Sequence, residues 1–439
     1  MGSETTSAIA WKEVTLGEFT TLQRGHDLPK QDRRDGTVPI LGSFGITGWH
    51  DTSKTKGPGV TVGRSGASFG VVSYSECDFW PLNTALFVKD FHGNDERFAY
   101  YFLKAMDFRR YNSGSAVQSL NRNHVHPIAI RIPPLPEQKA IAHILGTLDD
   151  KIELNRRMNE TLESMARALF KSWFVDFDPV IDNALAAGNP IPEPLIERAQ
   201  TRRDLGTKRK PLPKNIQKLF PNAFTFDERM GWIPDGWEVG PILNRADLLS
   251  GGTPKTSVEA YWNGQIKWAS AKDVSQCGNA FLDQTDRMIT AEGLNNSSTK
   301  MIPRFSTVIV SRGATTGRLT MFGDDIAMNQ TCYALRSRGT DHYFLYCHAR
   351  HFIDTLVNSA HGSVFDTITT RTFESTDVLL PPTKVSDDFN GIVKENFERI
   401  LLTLRESNSL AKLRDTLLPK LLSGELRIPD AEKLVAGSL

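Results

Sequence analysis

The chain has 439 residues, of which 39% are hydrophobic and 23% charged, and its formal net charge at pH 7 is +1. This composition is typical of a soluble globular protein with two or three domains. A charge so close to zero argues against a protein that binds polyanions through bulk charge, although local basic surfaces remain compatible with it.

Targeting, membrane and metal signals are weak throughout the chain. The first ten residues contain no apolar stretch of the kind found in secretory signals, and no apolar run approaches the length of a membrane span. The four cysteines form no Cys-x-x-Cys pair; they are Cys77, Cys277, Cys332 and Cys347. We therefore expect a cytoplasmic protein with reduced thiols, no membrane contact and no bound metal.

Residues 1–132 are predicted to form a first mixed α/β domain. Short runs rich in valine and aromatic residues, bounded by turn residues, indicate strands at 60–62, 69–72 and 85–88. Residues 95–111 have the pattern of a helix instead. The sequence His124-Val125-His126 lacks further ligands nearby and is only a weak indication of a metal site.

A long amphipathic helix is predicted in region 133–178, after Pro133-Pro134. Its apolar residues alternate at spacings of four and three, as in a coiled coil. The predicted seam has these apolar members: Ile141, Leu145, Leu148, Ile152, Leu162 and Leu169. Asn155 and Asn159 make the middle of the seam polar. At the end of the region, Asp176 and Asp178 are interpreted as helix-end residues rather than an acid–base pair.

Residues 179–230 are predicted to be a linker with little regular structure, because prolines are frequent there. The stretch from Arg198 to Lys218 is rich in basic residues and contains only one acidic residue, Asp204. Two interpretations stay open for it. It is either a solvated loop or a strip that contacts phosphates or a partner protein.

The second half repeats features of the first half, 248 residues later. Val62-Gly63-Arg64 recurs as Val310-Ser311-Arg312, Gly114-Ser115 as Gly362-Ser363, and Pro133-Pro134 as Pro381-Pro382. Residues 231–380 are accordingly predicted to be a second mixed domain, with strands at 308–310 and 332–335 and a helix at 341–358. Such a duplication suits one task performed twice on a roughly two-fold target.

A second long helix is predicted in region 381–425, followed by a tail at 426–439. Its seam contains Phe389, Val393, Ile400, Leu410 and Leu417, and it becomes polar at Thr403 and Ser407. Pro419 is expected to kink or end the helix. Because the polar interruptions match, we expect the two helices to pair with each other. The alternative is two independent helices, each lying on its own domain.

Catalytic motifs are missing from the sequence. The glycine-rich run 63–70 lacks the lysine of a phosphate-binding loop, and no nucleophile elbow or zinc-protease motif is present. We therefore expect a binding protein or an organiser without catalytic residues.

Four segments resemble the specificity subunits of type I restriction-modification systems: 133–179, 231–239, 248–262 and 413–428. The resemblance implies an α+β protein, in which two mixed α/β target-recognition domains are separated by two long antiparallel helices that form a coiled coil. It implies that each domain reads one half of a split site on double-stranded DNA. Two methyltransferase subunits, which use S-adenosylmethionine, and two restriction (translocase) subunits are the implied partners. The subunit itself would bind no cofactor.

Arg64 and Arg312 are the leading candidates for DNA contacts, because they stand at matching positions beside glycine turns. Further candidates lie on loops of the two domains: Lys30, Arg33, Arg34 and Arg122 in the first, and Thr253, Lys255, Thr256 and Arg371 in the second. The alternative is that the arginines hold their turns through internal hydrogen bonds, and that the other residues are ordinary surface.

Two other functions compete with DNA reading. One is an assembly scaffold whose duplicated helices recruit partners without sequence reading. The other is a methyltransferase fused to its own recognition domains, but the chain lacks an Asn/Asp-Pro-Pro-aromatic motif. Since the two recognition domains differ in length and sequence, we expect two different half-sites and an asymmetric DNA target.

Overall fold

The computed structural model describes residues 11–114, 118–206, 211–360 and 367–437. The chain divides into two compact units, which we call the first unit (Met1–Glu153 with Ser407–Leu439) and the second unit (Leu154–Glu406). Each unit contains one mixed α/β domain and parts of two long helices, so the predicted fold class is confirmed. Some predicted features lie outside the described residues: Ser115, Gly362-Ser363, and the basic residues Lys208, Arg209 and Lys210.

Among the described residues, the domain of the first unit contains nine strands and three short helices. The strands are β1 Lys12–Thr15, β2 Thr21–Arg24, β3 Val38–Gly42, β4 Gly45–His50, β5 Gly59–Gly63, β6 Val72–Ser75, β7 Trp80–Pro81, β8 Ala85–Asp90 and β9 Ala129–Ile132. The helices are α1 Leu16–Phe19, α2 Glu96–Ala105 and α3 Arg122–Val125. The strands form three sheets with the orders β2-β8-β5-β6, β4-β3-β7 and β1-β9.

Two elements predicted for this domain begin or end at other residues in the structure. The strand predicted at 69–72 begins only at Val72, because Gly70 has a φ of 78° and lies in the turn that leads into the strand. The helix predicted to reach residue 111 ends at Ala105. Asp107 then starts a separate turn of 3-10 helix by accepting a hydrogen bond from the Arg109 N–H at 3.3 Å.

In the described parts of the segment after the first long helix, 179–206 and 211–230, regular helices occur, so the prediction of a linker with little regular structure is wrong there. After α4 Leu135–Phe174 come α5 Asp178–Ala187, α6 Ile196–Leu205 and α7 Lys214–Gln217. Phe177, Val180 and Phe220 are buried in the core of the second unit, and this apolar burial holds the segment in place. Pro179 is tolerated because it lies in the first turn of α5.

The basic residues of α6 pair with acidic residues of α5. Arg198 donates two hydrogen bonds of 2.7 Å to Asp178, and Arg202 pairs with Asp182. Asp178 is buried and also accepts a bond from the Ser172 hydroxyl at 2.7 Å. These two arginines therefore stabilise the helical segment.

In the part of the chain that the structure describes, the domain of the second unit has thirteen strands and four helices. The strands are β10 Phe224–Asp227, β11 Gly231–Pro234, β12 Glu238–Pro241, β13 Ala246–Ser250, β14 Trp262–Ala269, β15 Phe281–Leu282, β16 Arg287–Ile289, β17 Met301–Ile302, β18 Thr307–Val310, β19 Leu319–Phe322, β20 Ile326–Met328, β21 Cys332–Ser337 and β22 Asp377–Leu380. The helices are α8 Ala271–Gln276, α9 Ala291–Asn295, α10 His342–Ala360 and α11 Thr370–Ser375. The predicted strands at 308–310 and 332–335 and the helix at 341–358 are confirmed.

The sheets of the second domain repeat those of the first. The orders β13-β21-β18-β19-β15, β16-β14-β20-β17 and β12-β22 match the three sheets of the first unit, with β15 and β17 added at edges; β10-β11 is a further hairpin. The parallel pairs also correspond, because Ile40 faces Trp80 and Trp268 faces Ala327. The second domain is longer mainly between β13 and β18, so the divergence is concentrated in one stretch.

The second long helix, α12 Thr383–Ser423, pairs with α4, and α13 Ile428–Ala436 follows it. In the second unit, Asn155 donates to Glu406 at 2.9 Å and Thr403 donates to Asn159 at 2.5 Å. Residue numbers therefore increase along α4 in the direction in which they decrease along α12, so the two helices are antiparallel. Within this unit the polar seam residues Asn159 and Thr403 face each other, and Asn155 bonds to Glu406 next to the predicted seam, which excludes the alternative of independent helices.

The seam residues named above are placed as follows. Most are fully buried, namely Ile141, Leu145, Leu148, Phe389, Val393, Ile400, Leu410 and Leu417; three are partly buried against the same cores, namely Ile152, Leu162 and Leu169. In the first unit Arg414, which lies on α12 between the seam residues Leu410 and Leu417, is neutralised by Asp149, whose Oδ1 lies 2.5 Å from Nη1. Asp149 also accepts a bond from the Tyr101 hydroxyl at 2.6 Å.

Pro419 lies inside α12, so the expectation that it ends the helix there is wrong. The helix continues to Ser423, only four residues further. A proline removes one backbone hydrogen bond and crowds the carbonyl four residues earlier. Leu417 and Leu421 are both buried, and their packing offsets this cost.

The second unit is expected to lose stability in mild acid because of His348. This side chain is 5% exposed, contacts the rings of Phe170, Phe344 and Phe352, and its pKa is lowered to about 3, mainly by burial. The unfolded chain takes up a proton near pH ~6.5, while folded His348 stays neutral. The free energy of unfolding should therefore fall by about 1.4 kcal/mol per pH unit below that pH from this group alone.

Urea denaturation of the full chain at pH 7.5 and pH 5 would measure this effect. The urea midpoint should be lower at pH 5, and His348→Gln should reduce the difference between the two midpoints. An unchanged difference in the variant would contradict the assignment.

Candidate nucleic-acid interface

Three arginines of the first unit line one concave cavity of about 780 Å³. Arg24 ends strand β2, Arg64 follows strand β5, and Arg122 begins helix α3. The cavity is otherwise largely polar, with Gln23, His26, Asp27, Ser113, Ser119 and Asn121 among its lining residues. Guanidinium and amide groups at a concave surface are the groups that contact phosphates and base edges.

The backbone of Arg64 is fixed on both sides. Its N–H donates to the carbonyl of Thr84 at 2.9 Å, and its carbonyl accepts from the Leu120 N–H at 2.8 Å. Within the described residues the guanidinium of Arg64 has no hydrogen-bond partner, and the side chain is half-buried. The interpretation that Arg64 holds its turn through side-chain hydrogen bonds therefore has no support in this part of the chain.

Helix α3 is attached to β2 through His126, and this attachment brings Arg122 towards Arg24. The Leu22 N–H donates to His126 Nε2 at 3.0 Å, which requires that nitrogen to be unprotonated. Burial lowers the pKa of His126, and nearby Arg122 lowers it further. The His-x-His sequence thus has a structural role. The described residues contain no cluster of histidine, cysteine or acidic side chains suited to a metal ion.

The other predicted loop residues of the first unit differ in their contacts. Arg33 donates from Nη1 to the carbonyl of Thr47 at 3.1 Å, and Arg34 forms an ion pair with Asp51 at 2.9 Å. Lys30 is exposed on a short turn of 3-10 helix. Arg33 and Arg34 are therefore engaged within the domain, and none of the three lines the cavity.

In the second unit, Gln330 brings two of the predicted residues together. Arg312 Nη2 donates to the Gln330 carbonyl at 3.2 Å, and the Thr253 hydroxyl bonds to the Gln330 side chain. Arg312 is exposed, so one of its guanidinium nitrogens holds the turn while the rest of the group faces solvent. The remaining predicted residues, Lys255, Thr256 and Arg371, are exposed.

The assumed equivalence of Arg64 and Arg312 is wrong by one residue. The N–H of Arg64 bonds to Thr84, and in the second unit the N–H of Ser311, not of Arg312, bonds to the corresponding Thr331 at 2.8 Å. The carbonyl of Ser311 accepts from Ile368 at 2.8 Å, as that of Arg64 accepts from Leu120. Since successive side chains point to opposite faces, this slip aims the two arginines differently.

Sequence reasoning missed an amide side chain in each unit. Asn83 bonds through its side chain to Asp27, and Gln330 accepts from Thr253 in the second unit. Both amides directly precede a threonine at the start of a central strand, β8 or β21. The recurrence of an amide residue followed by threonine, at Asn83-Thr84 and Gln330-Thr331, is visible in the sequence and could have indicated these two side chains. Arg24 offered no such signal, because the cavity joins three distant segments.

Comparison with known proteins gives one family. The family model of the type I restriction modification DNA specificity domain matches residues 9–164 and again residues 234–400. Each match covers one mixed domain and part of the long helix after it. None of the helices in the described ranges is long and apolar enough to cross a membrane.

Individual relatives agree with the family match. The specificity subunit of the type I restriction enzyme HindI from Haemophilus influenzae is 29% identical over 323 residues, covering 69% of this chain and 70% of that protein. The MjaIX specificity subunit from Methanocaldococcus jannaschii is 25% identical over 341 residues, covering 76% and 69%. The crystal structure of a type I S subunit from M. genitalium has the same fold, with a TM-score of 0.58, 16% identity, and 95% and 97% of the chains covered.

Proposed function

The chain belongs to the type I restriction-modification DNA specificity family and is a specificity subunit, and on that premise we propose that it reads a split, asymmetric DNA site. The first unit would read one half-site and the second unit the other. The observation that carries the proposal is the convergence of Arg24, Arg64 and Arg122 on one cavity. None of the three guanidinium groups has a hydrogen-bond partner within the described residues.

The chemistry of this cavity favours double-stranded DNA as its ligand. Arginine can donate two hydrogen bonds to the O6 and N7 atoms of guanine, and it pairs equally well with phosphate oxygens. Arg33 and Arg34 are engaged within the domain, whereas the three cavity arginines leave their donors available.

Different chemistry in the second unit supports an asymmetric target. There two of the predicted contact residues, Thr253 and Arg312, are held through Gln330. The one-residue slip between Arg64 and Arg312 gives the two units different donors. We therefore propose that the two half-sites differ in sequence.

We further propose that the subunit is not itself catalytic and works in the cytoplasm with partner subunits. Two methyltransferase subunits carrying S-adenosylmethionine would dock on it and methylate adenines, and two restriction subunits would join them. The antiparallel α4 and α12 would set the distance between the half-sites, because each helix has residues in both units.

The test is adenine-methylation mapping of a genome in a strain that expresses this chain with its methyltransferase. We expect a motif in two parts with an unspecified spacer. Inserting one heptad in both helices, between Glu153 and Leu154 and between Glu406 and Ser407, adds about 10 Å of helix at ~1.5 Å per residue. The spacer should lengthen by about three base pairs at ~3.4 Å each.

A matched control is an insertion of seven residues at Gly93, an exposed loop position with no atom near an added side chain. It should leave the spacer unchanged. An unsplit motif would refute the two-part reading. A spacer that stays constant after the heptad insertion would refute the helices as its determinant.

A further inference from the structure

The hairpin of β3 and β4 exposes three large apolar side chains on the first unit. Phe44 is 64% exposed, and Ile46 and Trp49 are each 53% exposed. Single exposed apolar residues are common, whereas these three lie together on one hairpin and form an apolar patch. Phe44 is distinct among them, because it lies in the turn itself, between the facing residues Gly42 and Gly45.

The turn that carries Phe44 is held tightly against strand β5. An added Cβ on Gly63 would lie 2.3 Å from the carbonyl oxygen of Ser43 and 2.1 Å from that of Ser68. The Gly63 N–H also donates to the carbonyl of Val71 at 2.7 Å. The backbone before Phe44 therefore packs directly on the residue that precedes Arg64, so its position is fixed before any ligand binds.

We propose that Phe44 is an apolar wedge that inserts between neighbouring base pairs at the half-site read by the first unit and kinks the DNA there. Proteins that bend DNA insert phenylalanine and similar side chains in this way and unstack one base step. The inference rests on the proposed function, because it takes DNA as the ligand of the cavity that contains Arg64.

Two observations favour DNA over a protein partner at this hairpin. The turn packs on Gly63, the residue before Arg64, and Arg64 lines the cavity with two other arginines, so the turn is joined through one residue to a group that attracts a polyanion. The turn also has only two residues, Ser43 and Phe44. A phenylalanine on so narrow a turn suits the space of one opened base step.

The wedge is a feature of one half-site only. In the second unit the strands that correspond to β3 and β4 are β14 and β16. Trp262, Trp268 and Ile289 on these strands are buried, and no large apolar side chain among the described residues 253–300 is exposed. We therefore expect the kink to lie off the centre of the site, within the half bound by the first unit.

The experiment uses the assembled complex of this chain with its methyltransferase and a duplex that carries the mapped motif. Fluorescent labels at the two ends report bending by energy transfer, and 2-aminopurine in the first half-site reports unstacking. Phe44→Ala should abolish both signals and weaken DNA binding by on the order of tenfold. Phe44→Trp should retain both signals, since its ring can stack in the same space.

Phe226→Ala is the matched control, because Phe226 is a 61% exposed phenylalanine on another apolar hairpin, which β10 and β11 form in the second unit as a separate sheet and whose residues do not line the arginine cavity. It should leave bending unchanged.

If the bending and 2-aminopurine signals persist in Phe44→Ala and the complex still methylates a split motif, the wedge is refuted but the proposed function is not. Loss of methyltransferase assembly in Phe44→Ala, with bending intact, would assign the hairpin to a protein partner and also overturn the wedge. A wild-type complex that methylated no split motif would overturn the proposed function and the wedge together.

Discussion

Replacing Arg64 with alanine is expected to lower methylation of the mapped DNA site by roughly 10- to 100-fold, because a bidentate base contact discriminates by about 1–3 kcal/mol. The folded structure should be little affected. The guanidinium of Arg64 bonds to none of the described residues, and its fixed backbone contacts do not involve the side chain. The free energy of unfolding should therefore change by less than about 0.5 kcal/mol.

The measurement is the initial methylation rate of the assembled complex on a duplex with the mapped motif. Arg131→Ala is the control, since Arg131 is an exposed arginine of the same unit on strand β9, outside the cavity. It should methylate at the rate of the unaltered complex. If Arg64→Ala retained full activity and the same motif, the assembly-scaffold interpretation would be favoured for this domain.

Replacing Phe389 with alanine is expected to lower the free energy of unfolding of the second unit by about 3–5 kcal/mol, as for other fully buried phenylalanines. Phe389 is a seam residue of α12 with no exposed surface. Its ring contacts those of Phe170, Trp173 and Phe174, with centroids 5.9, 5.9 and 5.3 Å away. Truncation would leave a cavity where both long helices and α10 meet.

Urea denaturation of the full chain, followed by circular dichroism, would measure this loss. Ile392→Ala is a suitable comparison, because Ile392 lies on the same helix but is exposed, and it should change stability by less than about 1 kcal/mol. A loss below about 1 kcal/mol for Phe389→Ala would mean that the helix pair does not depend on this cluster.

The long helices were predictable because their signal is local and sustained. Each has a seam of apolar residues over about forty residues of continuous helix, Leu135–Phe174 and Thr383–Ser423. By contrast, the helices α5 to α7 lie in a segment whose prolines suggested a linker. What orders that segment is burial of Phe177, Val180 and Phe220 against parts of the chain far away in sequence, and such long-range packing leaves no local pattern.

The candidate site was predictable only in part for a related reason. The repeat correctly drew attention to Arg64, but a constant offset paired it with Arg312, whereas the backbone hydrogen bonds pair it with Ser311. Insertions in the loops change the offset along the chain, so a spacing taken from the Pro-Pro pairs does not hold at β5 and β18. Arg24 and Arg122 meet Arg64 only after β2, β5 and α3 assemble.

The composition of the first unit has a consequence for the order in which the protein can fold. Its core includes Leu410, Leu417, Leu421, Ala431 and Val435, all from the last part of the chain. During synthesis from the N-terminus, the second unit is complete once Glu406 has left the ribosome. The domain at residues 11–132 must therefore wait for residues 407–435 before its apolar surface is covered. A nascent chain exposes this domain in an unfinished state until those later residues have been made and can complete its core.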